Sequence, residues 1–332
     1  MVRLLLSLFV GENMNDLKIV MLDTSTLGGD LEFLLLEKFG SVSMFEKTED
    51  SQVRERISDA DIVIVNKIKL NELNLSCARR LKLICVTATG FDNIDIGYCK
   101  KRGIAVCNVK GYSTDSVAQV TLAMALSLVN NLAVFDKYVK SGEYTNSGIP
   151  NKVTPSFSEM KNMTWGVVGL GAIGKRVAEL AEAFGCRILV YKRNPDERYN
   201  CVSIDELCEE SDIISVHIPL TDKTRELINT ERIAKMKNTA IFINVARGAV
   251  VDENALVCAV RNNGIGGLGV DVYSSEPLIS NSPYLSIKDY DNVILTPHMA
   301  WGAYEARMRC IEEIAKNIDA FINGTERNRV DK

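Results

Sequence analysis

The chain holds only two histidines, and one of them, His298, closes the run NVILTPHMAW. Arg247 stands in IFINVARGAVVDENAL and Glu276 in GLGVDVYSSEP. Each of the three follows a short apolar run of the kind that forms a buried β-strand. Ligands of open parallel sheets bind beyond the carboxyl ends of the strands. An imidazole, a carboxylate and a guanidinium are therefore expected along one sheet edge. That set suits hydride reduction of a ketone. His298 is the candidate proton donor to the new oxygen near neutral pH. A carboxylate beside an imidazole favours its charged form, and Glu276 can supply one. The planar fork of Arg247 matches the carboxylate of a 2-keto acid. Taken singly, Glu276 also reads as surface charge and His298 as strand-end packing. His217, in DIISVHIPLT, reads as a strand-end residue whose neighbours touch a cofactor.

The segment GLGAIGKRVAELAEAFGCRILVYKRN carries Gly169, Gly171 and Gly174 at G-x-G-x-x-G spacing, after the strand-like WGVVG and before a helical pattern. This is the arrangement of a dinucleotide loop: one glycine for the tight turn, one for backbone approach to a pyrophosphate, one for helix–strand contact. The helix N-terminus then offers unpaired N–H groups to phosphate. After the second strand an acidic residue ordinarily accepts the adenine ribose hydroxyls of NAD, but here Lys192 and Arg193 stand there. Both fit a 2′-phosphate, so NADP is left open beside NAD; a solvent-facing pair with NAD bound is the other reading.

These residues need a scaffold, and the alternation of short apolar runs with amphipathic segments predicts α/β architecture with parallel sheets. Strands are expected at Lys18–Leu22, Val42–Phe45, Asp61–Val65, Lys82–Val86 and Ile104–Asn108, with helices near Asp30–Phe39 and Asn93–Lys101. A long apolar helix follows, capped by Ser113 or Thr114. The polar stretch 141–162 then reads as a long surface connection. A second series is expected at Trp165–Val168, Arg187–Tyr191, Ile213–His217, Ala240–Val245, Leu268–Val270 and Val293–Thr296, ending in a helix over Tyr304–Phe321 that is free to return to the first series. A length of 332 residues suits two doubly wound domains.

Composition narrows the function classes. With 46% apolar and 25% charged residues the chain is globular, and a net charge of −4 gives no reason to expect a nucleic-acid or membrane partner. The nine cysteines form no C-x-x-C pair and no zinc spacing, so they read as buried reduced thiols of a cytoplasmic protein, with no metal expected. Leu4–Val10 behind Arg3 weakly mimics a signal peptide without a cleavage site; residues 1–14 read instead as an upstream start before Met14 or as an extension.

From Leu17 onward the chain resembles the D-isomer-specific 2-hydroxyacid dehydrogenase family. The likeness rests on GLGAIG, NVARGAVVDENAL, GVDVYSSEP and TPHMAWGAYEARMR. VNK at Val65–Lys67, ATGFDNID at Ala88–Asp95 and NVKGYSTDSVAQ at Asn108–Gln119 look most like its glycerate dehydrogenase (hydroxypyruvate reductase) branch. The resemblance implies a Rossmann-type cofactor domain, 113–303, inserted into a flavodoxin-like substrate domain, 15–112 plus 304–332, and a homodimer. It implies catalytic roles for Arg247, Glu276 and His298. It aligns Thr89, Thr121, Ala172, Ile173, Ile218, Val245, Ala246, Asp271 and Trp301 with cofactor contacts, and Lys67, Ala88, Thr89 and Gly90 with substrate contacts. Lys192 departs from the family's usual Asp. The implied activity is interconversion of a small 2-keto acid with its D-2-hydroxy acid, hydroxypyruvate or glyoxylate foremost. A phosphoglycerate or bulkier 2-keto acid dehydrogenase is the enzymic alternative, and a dinucleotide-sensing, corepressor-like binding protein the non-enzymic one.

Overall fold

The computed structural model describes residues 17–194 and 196–332, so the reading of residues 1–14 lies outside the described residues. The chain divides into two compact units. The first holds the described residues up to Ser113 together with Gly302–Lys332, and the second holds Thr114–Trp301.

The first unit is built on a five-stranded parallel sheet, ordered β2-β1-β3-β4-β5. The strands are β1 (Leu17–Met21), β2 (Gly40–Met44), β3 (Ile62–Val65), β4 (Leu83–Val86) and β5 (Ala105–Cys107). The runs IVIV of β3 and LICV of β4 are buried throughout, as central strands covered on both faces require. Helix Tyr304–Ile322 joins this unit by burying Cys310, Ile311, Ile314 and Ile318, and Asn317 Nδ2 donates to Asn108 O at 2.9 Å. The helix expected near Asp30–Phe39 shrinks to Leu34–Glu37. Within the observed turn only Leu36 is buried while Leu34 and Leu35 face solvent, and the buried Leu31 and Phe39 lie outside it. Arg307 holds the preceding turn instead, through Leu27 O and an ion pair with Asp30.

The second unit carries a seven-stranded parallel sheet, ordered β12-β11-β10-β9-β6-β7-β8. Its strands are β6 (Thr164–Val168), β7 (Arg187–Tyr191), β8 (Asn200–Cys201), β9 (Ile213–Val216), β10 (Ile241–Asn244), β11 (Gly267–Val270) and β12 (Val293–Leu295). Because β6 pairs with both β7 and β9, the chain winds away from β6 in both directions, leaving a crevice at that switch point. Helix Thr114–Val129 packs Val117, Met124 and Ala125 on one face, with Trp165, Val167 and Ile243. Phe242, Leu256, Val260 and Leu268 belong to the core of the other. Strand β8 was not expected; two residues bearing one polar side chain leave no periodic trace. Nor is the stretch 141–162 wholly irregular, since it contains helix Glu143–Ser147, which buries no side chain. Among the described residues no single helix is long and apolar enough to cross a membrane.

Candidate active site

The glycine loop leaves the carboxyl end of β6 at the switch point. Gly169 has φ +99°, and a Cβ there would lie 2.3 Å from Ile218 Cγ2. A Cβ on Gly174 would lie 2.0 Å from Gly169 O, so the helix Ala172–Ala183 can sit this close to its strand only with glycine at 174. Around Gly171, by contrast, a Cβ would meet nothing within 4 Å. The loop is thus closed where helix meets strand and open where a pyrophosphate would approach. Gly171 is the N-cap and its residue type brings no capping side chain to the first-turn N–H groups. This cradle fits a dinucleotide. Ala172 is exposed and Ile173 partly buried against the core; Ile218 and Ala246 are half-buried and Val245 is buried. Trp301 also packs against this core, and Thr121, fully buried, turns its hydroxyl back to Val117 O at 2.8 Å.

Position 192 is occupied by a paired lysine. Lys192 Nζ lies 3.4 Å from Asp196 Oδ2, and the side chains are one-third exposed. The Arg198 backbone N–H and Lys192 together hold the Asp196 carboxyl below the usual carboxylate range. Arg193 is exposed.

Arg247, Glu276 and His298 lie beyond the carboxyl ends of β10, β11 and β12. His298 Nδ1 and Glu276 Oε2 are 2.6 Å apart, the length of a charge-assisted bond. Glu276 Oε1 accepts from the Tyr273 backbone N–H at 3.1 Å, so the carboxylate is aimed from its other side. With Nδ1 facing a carboxylate, proton exchange between this ring and a ligand would run through Nε2.

His298 itself sits at φ +53°, a left-handed backbone uncommon for a side-chain-bearing residue. What holds it there is Asp271, 1% exposed at the end of β11. Its Oδ1 accepts from Met299 N at 2.9 Å and from Thr296 Oγ1 at 2.5 Å, and its Oδ2 accepts from Ala300 N at 2.9 Å. Tyr273 Oη donates to Thr296 O at 2.9 Å and Ser116 Oγ to Ala300 O at 2.6 Å, completing the clamp. Arg247 is set by a parallel device. Fully buried Asn244 accepts from Ala246 N at 3.1 Å and donates to Arg247 O at 3.0 Å, fixing the turn after β10. Sequence reasoning missed Asn244, Ser116 and Tyr273. The one signal for Asn244 was a polar residue closing an otherwise apolar strand, IFIN.

His217 differs from His298 in its surroundings. Burial pushes its imidazole down to about 3, so it is neutral. Its Nε2 lies 2.9 Å from Ser215 Oγ.

In the first unit, Ala88 and Gly90 are half-buried and Thr89 exposed, in the loop after β4. Thr89 Oγ1 donates to Val109 O at 2.8 Å and Asn108 Nδ2 to Thr89 O at 2.7 Å. Lys67 is exposed after β3, in a loop whose backbone N–H groups at Asn66, Lys67 and Ile68 all reach the buried Asp23 carboxylate.

Residues 122–300 match the model of the NAD binding domain of D-isomer specific 2-hydroxyacid dehydrogenases. A hydroxypyruvate reductase of Blautia hydrogenotrophica is 33% identical over 325 residues, 95% of this chain and 100% of its own length. Among solved structures, the D-lactate dehydrogenase of Aquifex aeolicus, complexed with NAD and lactic acid, is 35% identical with a TM-score of 0.83, covering 95% of this chain and 99% of that one. An acyclic imino acid reductase in complex with NADPH and D-Arg is 29% identical, also with a TM-score of 0.83, over 95% of this chain and 100% of that one. The chain belongs to the D-isomer specific 2-hydroxyacid dehydrogenase family and is a nicotinamide-dependent oxidoreductase of CH–OH groups.

Proposed function

We propose that the chain reduces a small 2-keto acid, hydroxypyruvate or glyoxylate, to the D-2-hydroxy acid. The observation that carries this reading is the 2.6 Å His298–Glu276 pair, beyond the strand ends on the edge that bears the glycine loop. A bound dihydronicotinamide supplies hydride to C2 of the substrate. His298 Nε2 gives its proton to the substrate oxygen as negative charge develops there, and Glu276 orients the ring and offsets its charge. Arg247 grips the substrate carboxylate in its fork. Gly169, Gly171, Ala172, Ile173 and Gly174 would cradle the pyrophosphate; Thr121, Lys192, Arg193, Ile218, Val245, Ala246, Asp271 and Trp301 are the further cofactor positions of the same unit, and Thr89 is the one assigned in the first unit. Lys67 and the backbone of Ala88–Gly90 are assigned to the substrate.

The size of the substrate rests on relatives of nearly full coverage such as the hydroxypyruvate reductase. The solved neighbours, one complexed with lactic acid and one with D-Arg, show that one fold serves several side chains. Turnover of a panel of 2-keto acids with NADH and NADPH tests the proposal. His298→Ala should lower kcat at least about 10²-fold while NADH still binds. Near-normal turnover in that variant would sink the proton-donor assignment, and no turnover of any keto acid by the parent would favour the dinucleotide-sensing alternative.

We also infer a cytoplasmic homodimer. All nine cysteines are free thiols, consistent with a reducing compartment. Leu132, Val139, Ile149, Val153 and Phe157 form a run of exposed large apolar side chains within the second unit, the composition of a subunit contact. Sedimentation equilibrium distinguishes dimer from monomer.

A further inference from the structure

The described residues contain few shielded side-chain polar atoms without a hydrogen-bond partner, and one of them is Nδ1 of His217. Its neighbours decide which ring nitrogen bears the proton. Trp165 Nε1, fully buried, lies 2.9 Å from Ser215 Oγ and can only donate, so Ser215 Oγ accepts from it. The Ser215 hydroxyl, also fully buried, has one remaining partner among the described residues, His217 Nε2 at 2.9 Å. The arrangement that leaves no hydroxyl proton stranded has Ser215 donating to Nε2. The imidazole is neutral, so its proton is on Nδ1. A fixed N–H donor is thereby left shielded and unsatisfied, a feature that ordinarily costs stability and calls for a partner.

The place of this donor says what the partner is. His217 directly follows β9 at the switch point, and its backbone N–H donates to Val168 O at 2.8 Å, the last residue of the strand that feeds the glycine loop. A Cβ on Gly169 would lie 3.0 Å from His217 O, so the loop turns against residue 217 itself. We propose that the Nδ1–H of His217, its tautomer set by the Trp165–Ser215 relay, is a binding donor for an oxygen of the nicotinamide dinucleotide. The inference rests on the cofactor assignment of this unit. In the bound protein the stranded donor gains its acceptor, so stability given up by the free protein returns as affinity.

Calorimetric titration of the substrate-free protein with NADH and with ADP-ribose tests this without turnover. His217→Phe keeps an aromatic ring and removes the donor; NADH binding should weaken about tenfold, the scale of one hydrogen bond. The free variant exchanges one stranded donor, Nδ1–H, for another, the Ser215 hydroxyl proton, so its melting temperature should change little. His217→Asn places an amide donor near Nδ1 and should recover most of the affinity. His217→Gln places its amide near Nε2 and should not, and this comparison stands even if His217→Phe misfolds. A loss shared by ADP-ribose puts the acceptor in the part common to both ligands, and a loss confined to NADH puts it in the nicotinamide half; both support the donor. Unchanged NADH affinity in folded His217→Phe, or equal losses in His217→Asn and His217→Gln, would overturn it. A parent that binds neither ligand would overturn the cofactor assignment instead.

Discussion

The Asp271→Asn substitution isolates the clamp on His298 because it changes one oxygen to an NH2 group and almost no volume. The Asp271 carboxylate serves two backbone N–H groups, Met299 through Oδ1 and Ala300 through Oδ2, and both oxygens are engaged. Whichever way the new amide is turned, its NH2 meets one of those N–H groups. Thr296 can rotate its hydroxyl to accept, but a backbone amide cannot. One charge-assisted bond is lost, worth about 1.5–3 kcal/mol, and a donor is stranded where the native Asp271 is 1% exposed, adding about 1–3 kcal/mol unless the loop opens. Partial relaxation leaves an expected loss of roughly 2–4 kcal/mol in denaturant unfolding. The left-handed backbone of His298 persists only while its surroundings determine it, so relaxation displaces the imidazole. A misplacement on the order of 1 Å lowers kcat about 10²-fold. The assay pairs urea unfolding with single-turnover reduction at saturating NADH, which separates the chemical step from any weakened cofactor binding. A variant with the expected stability loss and parental single-turnover rate would refute the claim that Asp271 sets the position of His298.

Three further substitutions probe other parts of the site. Gly174→Ala drives a Cβ to 2.0 Å from Gly169 O, a backbone overlap no rotamer relieves, so NADH binding measured by fluorescence titration should be lost; parental affinity would show that the loop does not need this close contact. The His217 imidazole falls from an ordinary value of 6.5 to about 3 on folding. Between those values the unfolded chain binds the proton and the native one does not, so stability rises with pH through that window and is lost as pH falls, by about 2 kcal/mol from this group at about pH 5. His217→Phe should flatten that part of the urea-derived stability curve, and an unchanged slope would assign it to other groups. Lys192→Asp should shift the kcat/KM ratio toward NADH over NADPH by about 1–3 kcal/mol if one charge-assisted contact is exchanged, and an unmoved ratio would place Lys192 away from the adenosine ribose.

The sheets were legible because their central strands are continuous β-branched and aliphatic runs. IVIV, LICV and IISV declare buried parallel strands in any context, and WGVVG followed by glycines at fixed spacing declares a strand–turn–helix. The failures share one cause. Strand β8 is a two-residue edge pairing with β7 and helix Leu34–Glu37 is a single turn, and neither has a period long enough to register. The roles of Asn244 and Asp271 were illegible for a related reason. Apart from the Thr296 hydroxyl on Asp271, each is recognised by backbone N–H and C=O groups, which every residue possesses, so little at the far end of the bonds marks the partner by residue type.

The two histidines show where sequence logic and fold stability part. Local consistency would put Gly or Asn at the left-handed position 298 and an apolar ring at 217, where an imidazole strands its Nδ1. Neither departure is a packing accident, because each is braced by polar groups: buried Asp271 and Ser116 with half-buried Tyr273 around the His298 loop, buried Trp165 and Ser215 behind His217. Bracing of this kind costs desolvation and is retained only where a fixed direction matters. For His298 the direction is that of Nε2, since Glu276 takes Nδ1; for His217 it is that of Nδ1, since Ser215 takes Nε2. On the proposed function the same side chain is therefore used in opposite orientations at two strand ends of one sheet, beyond β12 as a proton donor that must change its charge and beyond β9 as a neutral donor that must not. Burial enforces the second role, and the hydrogen bond to the Glu276 carboxylate fixes the ring for the first.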